Sequence, residues 1–169
     1  MRAVAAINLI VWTLLAGASV QATAVTQQTH LGVVTRVTDG DTLWVQTSAV
    51  RRPLKVRIQG IDAPEICQSG GVQARDALKR QTLGKSVTVN SSAHDDYGRT
   101  VGTVYVQGAD IGRWMVVQGH AWVYTSRSKK SPYDNEFAQA QRARQGVFSA
   151  FAEEPRLFRK RHGLCHVRR

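Results

Sequence analysis

Between Leu31 and Gly60 the chain repeats one pattern three times: a short run in which apolar and polar residues alternate, then a break. Leu31 to Thr38 is rich in Val and Thr and has the alternation of a half-buried strand. Asp39-Gly40 follows, a dipeptide suited to a tight hairpin because both central positions of a type I′ turn need positive φ. The spacing predicts a second strand from Thr42 to about Val50, broken by Arg51-Arg52-Pro53, and a third from Leu54 to Gly60. Period two sets Leu54, Val56 and Ile58 on one face and Arg57 on the other. Three such strands in succession make a meander. Asp41, Arg57 and Asp62 can then meet only if the sheet curls strongly, which favours a small barrel over a flat sheet.

Downstream, Gly70-Gly71 opens a predicted helix from Val72 to Leu83, with Val72, Ala74, Ala77, Leu78 and Leu83 at roughly helical spacing and Gly84 at its stop. Lys85 to Asn90 and Thr100 to Val106 read as two further strands around a polar loop, Ser91 to Arg99. Asp110 is placed to cap a short helix through Val117, and Asp134 to Gln145 is a charged helix ended by Gly146. Ser126 to Tyr133 reads as a surface loop. Trp114, Trp122 and Val123 are expected in the core, and ordinary packing is the expectation for Tyr124 and Tyr133. The fold class is therefore α+β, mainly β: a five-stranded OB-type barrel with about three helices.

The ends of the chain carry their own signals. Arg2, the apolar stretch Ala3 to Ala18 and Ala22-Thr23-Ala24 have the order of a secretory leader and its cleavage site. The expected division is a leader over 1–24, a linker over 25–30, the domain over 31–148 and a basic tail over 149–169. Export to the periplasm or the medium, with no membrane anchor after cleavage, is the corresponding expectation. In an oxidising compartment Cys67 and Cys165 are expected to pair, closing a loop of roughly a hundred residues worth up to about 4.7 kcal/mol in the chain-entropy account. A metal site built from Cys67, His162, Cys165 and His166 is the competing idea, supported only by a single His-Gly-Leu-Cys-His run. Apart from that disulfide the tail is expected to be loosely ordered. The 23 Lys and Arg against 12 Asp and Glu give a formal charge of +11, a field that draws in polyanions, nucleic acid first among them.

Four blocks carry a resemblance. Asp39-Gly40-Asp41-Thr42, then Arg57 with Ile61-Asp62-Ala63-Pro64-Glu65, then Asp95-Asp96-Tyr97-Gly98-Arg99, then Gln118-Gly119-His120-Ala121-Trp122-Val123-Tyr124 resemble the staphylococcal nuclease family, in order and at suitable spacing from about Leu31 to Phe148. The resemblance implies a monomeric, Ca²⁺-dependent hydrolase of DNA and RNA that breaks the bond to the 5′ oxygen and leaves a 3′-phosphate. It implies Asp41, Asp62 and the Ala63 carbonyl as metal ligands, with Asp39 behind them. Glu65 would activate water, Arg57 and Arg99 would grip the phosphate, and Tyr97 would lie near the nucleotide.

Elementary chemistry supports that set independently. Carboxylates are hard oxygen donors suited to Ca²⁺, and the planar fork of Arg matches two phosphate oxygens while staying charged. Each residue also has a plainer reading: Asp39 as a turn residue, Glu65 as an acid at a helix start, Arg57 as an ion-pair partner. Asp96 departs from the family pattern, which has a Lys there, and a carboxylate at that place weakens phosphate contact. A non-catalytic nucleic-acid-binding module on the same barrel is the alternative function.

Overall fold

The computed structural model describes residues 27–124, 131–150 and 152–165. The expected leader and residues 126–130 of the expected surface loop lie outside them. β1 (Gln28–Val37), β2 (Thr42–Thr47) and β3 (Leu54–Ile58) form the antiparallel meander, with Val34 opposite Val45 and Leu43 opposite Val56. β4 (Ile61–Asp62) and α1 (Gly71–Thr82) follow, then β5 (Ser86–His94) and β6 (Thr100–Val106). β1 pairs with β5 and β5 with β6, and β6 runs parallel to β3 through Val56↔Thr100 and Ile58↔Gly102. That last pairing returns the order β3-β2-β1-β5-β6 to its start, closing a five-stranded barrel. β7 (Ala109–Asp110) extends β6, and β8 (Trp122–Val123) pairs with β4 outside the barrel. The helices are α2 (Ile111–Val117), α3 (Asp134–Arg142) and α4 (Pro155–His162), with a 3₁₀ turn at Gly146–Ser149.

Alternation fills the barrel. Val34, Leu43, Val45, Val56, Ile58, Val89 and Val104 are buried inward, and α1 and α2 seal the core with Ala74, Ala77, Leu78, Ile111, Met115 and Val116. Trp122 is buried too, as expected, whereas Trp114 and Val123 are only partly buried.

Several boundaries differ from the sequence expectation. β5 runs on to His94 and β1 begins at Gln28, so the expected linker is partly strand and the expected loop at Ser91 shrinks to Asp95–Arg99. Backbone pairing carries both extensions, Gln28 with Ser91 and His94 with Thr100, although the side chains there are polar. β2 stops at Thr47 rather than Val50, β3 at Ile58 rather than Gly60, and α3 at Arg142 rather than Gln145. Val72 and Leu83 are exposed, so the buried side of α1 is Gly71, Ala74, Ala77, Leu78 and Thr82. Gly84 does take positive φ, +73°, just past that helix.

The turn after β1 is not type I′, since neither Asp39 nor Gly40 has positive φ. It closes through Thr38 N–H donating to the Thr42 carbonyl at 3.0 Å. Gly40 is there for space: a Cβ on it would sit 2.6 Å from the Ala63 Cβ and 2.7 Å from that of Ala74. In the expected surface loop, Ser131 and Tyr133 are instead buried. The tail, finally, is no loose end. Pro155 at the first turn starts α4 and Gly163 follows it, so residues 155–162 are helical.

Candidate active site

The turn between β1 and β2 delivers Asp41 into the protein, 5 % exposed, and β4 delivers Asp62, 3 % exposed. Arg57 on β3 lies between them. Its Nη1 donates to Asp41 Oδ2 at 2.5 Å, and its Nη2 donates to Asp62 Oδ1 and to the Ile61 carbonyl, both at 3.2 Å. One guanidinium thus bridges two buried carboxylates. Asp41 is held further by the Thr42 hydroxyl, 2.8 Å from Oδ1, and by the Ala63 N–H.

Charge follows from this wiring. Burial pushes the Asp41 carboxyl up, but the Arg57 charge and these hydrogen bonds outweigh it and hold Asp41 below the usual carboxylate range. Burial likewise works against the Arg57 cation, and Asp41 and Asp62 reverse the effect. Asp39 accepts from the Asp41 N–H at 3.1 Å and forms no ion pair among the described residues. Burial and the Asp41 charge push it up to about 7.

Arg99 arrives on the turn before β6. Its Nε donates to Asp95 Oδ2 at 2.7 Å, and Asp95 Oδ1 also accepts the N–H groups of Tyr97 and Arg99. Desolvation opposes the Asp95 charge, and these bonds still hold its carboxyl below the ordinary range. The Arg99 Nη1 reaches the Thr42 hydroxyl at 3.4 Å, while its Nη2 has no hydrogen bond among the described residues. Tyr97, 75 % exposed, has its ring 5.3 Å from the Arg99 guanidinium, and Tyr124 lies 5.8 Å from that of Arg57.

Glu65 sits on the loop between β4 and α1, where Gln68 turns the chain back by accepting from the Glu65 N–H and donating to its carbonyl. Its carboxylate meets a residue that sequence reasoning missed. Arg159 of α4 donates from Nη1 to Glu65 Oε1 at 3.1 Å and to Asp62 Oδ1 at 3.0 Å, and from Nη2 to Asp62 Oδ2 at 2.8 Å. Burial alone would lower the Arg159 pKa, and the two acids raise it instead. The Cys67–Cys165 disulfide, with Cα atoms 5.8 Å apart, brings α4 to this place. With both sulfurs joined to each other, a thiolate metal site on the tail is ruled out.

Asp41, Arg57, Glu65, Tyr97, Arg99 and Arg159 all line one cleft of about 980 Å³, with Asp39 and Asp96 also on its wall. Asp62 lies beneath it, covered by two guanidiniums. Among the described residues no group of three or more His, Cys, Asp or Glu is placed to hold a metal. The donor set nonetheless suits a hard cation: Asp41 and Asp62 are buried carboxyl groups joined through one guanidinium, and Ca²⁺ accepts a few protein oxygens completed by water or phosphate. Thr42, Asp95 and Arg159 contact the candidate site residues, and the sequence reading assigns them no role. The Asp95-x-x-x-Arg99 spacing could have flagged the second, and the Cys67–Cys165 pairing, by tethering the tail beside Glu65, could have flagged the third.

A sequence model described as Staphylococcal nuclease homologue matches residues 55–148. An Escherichia coli protein called an uncharacterized endonuclease is 44 % identical over 94 residues, 55 % of this chain and 60 % of that one. A micrococcal nuclease of Shigella flexneri is 37 % identical over 142 residues, covering 76 % of this chain and 80 % of its own. A probable staphylococcal-like nuclease of Oryza sativa is 36 % identical over 96 residues, 57 % of this chain and 29 % of the plant protein. The chain thus spans about 60 % of the length of the Escherichia coli relative.

Proposed function

This chain belongs to the staphylococcal nuclease family, and on that premise we propose that it hydrolyses phosphodiester bonds of DNA and RNA in a Ca²⁺-dependent reaction. One observation carries the reading: Asp41, Arg57, Glu65 and Arg99, distant in sequence, line a single cleft directly above Asp62. A phosphodiester is shielded by its own negative charge, so hydrolysis needs neutralisation at phosphorus and a water made more nucleophilic.

Asp41, Asp62 and the Ala63 carbonyl are the ligands proposed for Ca²⁺, which when bound supplies charge neutralisation and orientation worth several kcal/mol. Glu65 takes the proton of the attacking water through Oε2, which has no hydrogen-bond partner among the described residues; a placed general base contributes about 10²- to 10⁴-fold in rate. Arg99 offers its open Nη2 edge to a phosphoryl oxygen, with Asp95 and Thr42 fixing the guanidinium plane. Arg57 stabilises charge growing on the phosphoryl group from the opposite partner set. Tyr97, exposed beside Arg99, is a surface on which a base can stack. The bond to the 5′ oxygen breaks and the 3′-phosphate stays. Export, which the disulfide favours, belongs to the same reading.

Plasmid digestion tests it. The protein should cut DNA in Ca²⁺ and stop in excess EGTA, and Glu65→Ala should lose about 10²- to 10⁴-fold in turnover while still binding a nucleotide analogue. Full digestion in EGTA would remove the cation from the scheme. Wild-type turnover in Glu65→Ala would remove Glu65 as base.

A further inference from the structure

The tail segment that carries α4 follows residue 148, where the family match ends, yet it reaches into the cleft. Three acids converge there, and Arg57 offsets only two of them: it contacts Asp41 and Asp62 and not Glu65. Glu65 stands on a loop without helix or strand, residues 63–70, and among the described residues its carboxylate has a single partner, Arg159. Nη1 of that guanidinium is shared between Glu65 Oε1 and Asp62 Oδ1, and Nη2 takes Asp62 Oδ2. A planar fork used in this way fixes the spacing between the two carboxylates as well as neutralising them.

We propose that Arg159 is a positioning residue for the hydrolysis inferred above, holding Glu65 and Asp62 in register, and that the Cys67–Cys165 bond keeps it there. The proposal rests on that nuclease reading. Three of the five N–H donors of Arg159 point at carboxylates, which ties the side chain to Glu65 and Asp62 together. The second oxygen of Glu65, without a hydrogen-bond partner among the described residues, is left open for water. Support for the loop is doubled by the Gln68 side-chain amide, which donates to the Glu153 carbonyl at 2.6 Å just before α4. Cys67, two residues past Glu65, anchors both the loop and the tail, so reduction releases both at once. A base displaced by about 1 Å can cost about 10² in rate, and that is the loss expected when the guanidinium goes.

The test is a cycle of Arg159→Gln with Glu65→Ala in full-length oxidised protein, with plasmid and Ca²⁺. Arg159→Gln should lower kcat about 100-fold in the wild-type background, shift KM less than about threefold, and lower the residual rate of Glu65→Ala by no more than about threefold. Arg159→Lys, which keeps the charge without the fork, should recover about tenfold. Independently of turnover, the ¹³C resonance of the Glu65 carboxylate should be single and narrow in the wild type and broadened in Arg159→Gln. The Cys67→Ser/Cys165→Ser pair should fall in the same direction, and it carries the same comparison should Arg159→Gln fail to fold. An equal loss in both Glu65 backgrounds, or wild-type turnover in Arg159→Gln, overturns the proposal. So does faster turnover together with tighter Ca²⁺ binding, which would make Arg159 an inhibitor. Glu65→Ala at wild-type turnover would sink the base assignment and this proposal together, whereas an inactive Glu65→Ala beside a fully active Arg159→Gln sinks this one alone.

Discussion

Asp39 keeps its proton to about pH 7 because burial and the neighbouring Asp41 both oppose another negative charge. The unfolded chain releases the same proton near the ordinary 3.8, so between 3.8 and about 7 the folded state binds more protons. Stability from this group is fully present below 3.8 and is lost as pH climbs through 7. In chelator, melts from pH 4 to 8 should show that decline in the wild type and a flatter profile in Asp39→Asn; parallel profiles would mean Asp39 titrates normally. Deprotonated Asp39 also adds charge beside the proposed cation ligands, so Ca²⁺ affinity should rise through pH 7 in the wild type only. At this scale the sequence was most informative between Asp39 and Glu65, where every site residue lies within a few positions of a strand end. It was least informative about Arg159, whose partners are 94 and 97 residues away. The reason for Gly40 was also hidden, because a clash with Ala63 and Ala74 exists only once α1 has packed.

Elements were legible where burial and period agreed and blurred where pairing alone decided. β6 and α2 fall on their expected bounds, since alternation in one and an Asp cap in the other mark them locally. β5 overran its polar end because the two neighbouring strands supply hydrogen bonds that no side-chain pattern records. Asp110 shows how elements are stapled together: Oδ1 accepts from the Arg113 N–H to cap α2, and Oδ2 accepts from the Tyr133 hydroxyl at the start of α3. Burial and that carboxylate raise the pKa of the Tyr133 phenol, so it remains a donor across the working range. Asp110→Ala should therefore cost more than a cap alone, about 2 kcal/mol or more, while Tyr133→Phe should cost about 1 kcal/mol. Urea denaturation midpoints decide it, and equal costs would mean the two bonds do not share one carboxylate.

For the whole molecule, the closing seam is the parallel contact of β3 with β6, which sets Arg57 opposite Val101 and Thr100 opposite Val56. Arg99 immediately precedes that seam. The same event that shuts the cylinder therefore brings the two guanidinium carriers alongside each other, and a chain with an open seam has its cationic pair split apart. Turnover then becomes a gauge of closure. In a urea series, loss of cleavage and loss of the aromatic circular-dichroism signal of buried Trp122 and Tyr133 should share one midpoint, and an activity that vanishes well before the aromatic signal would mean that the cleft comes apart while the cylinder is still shut.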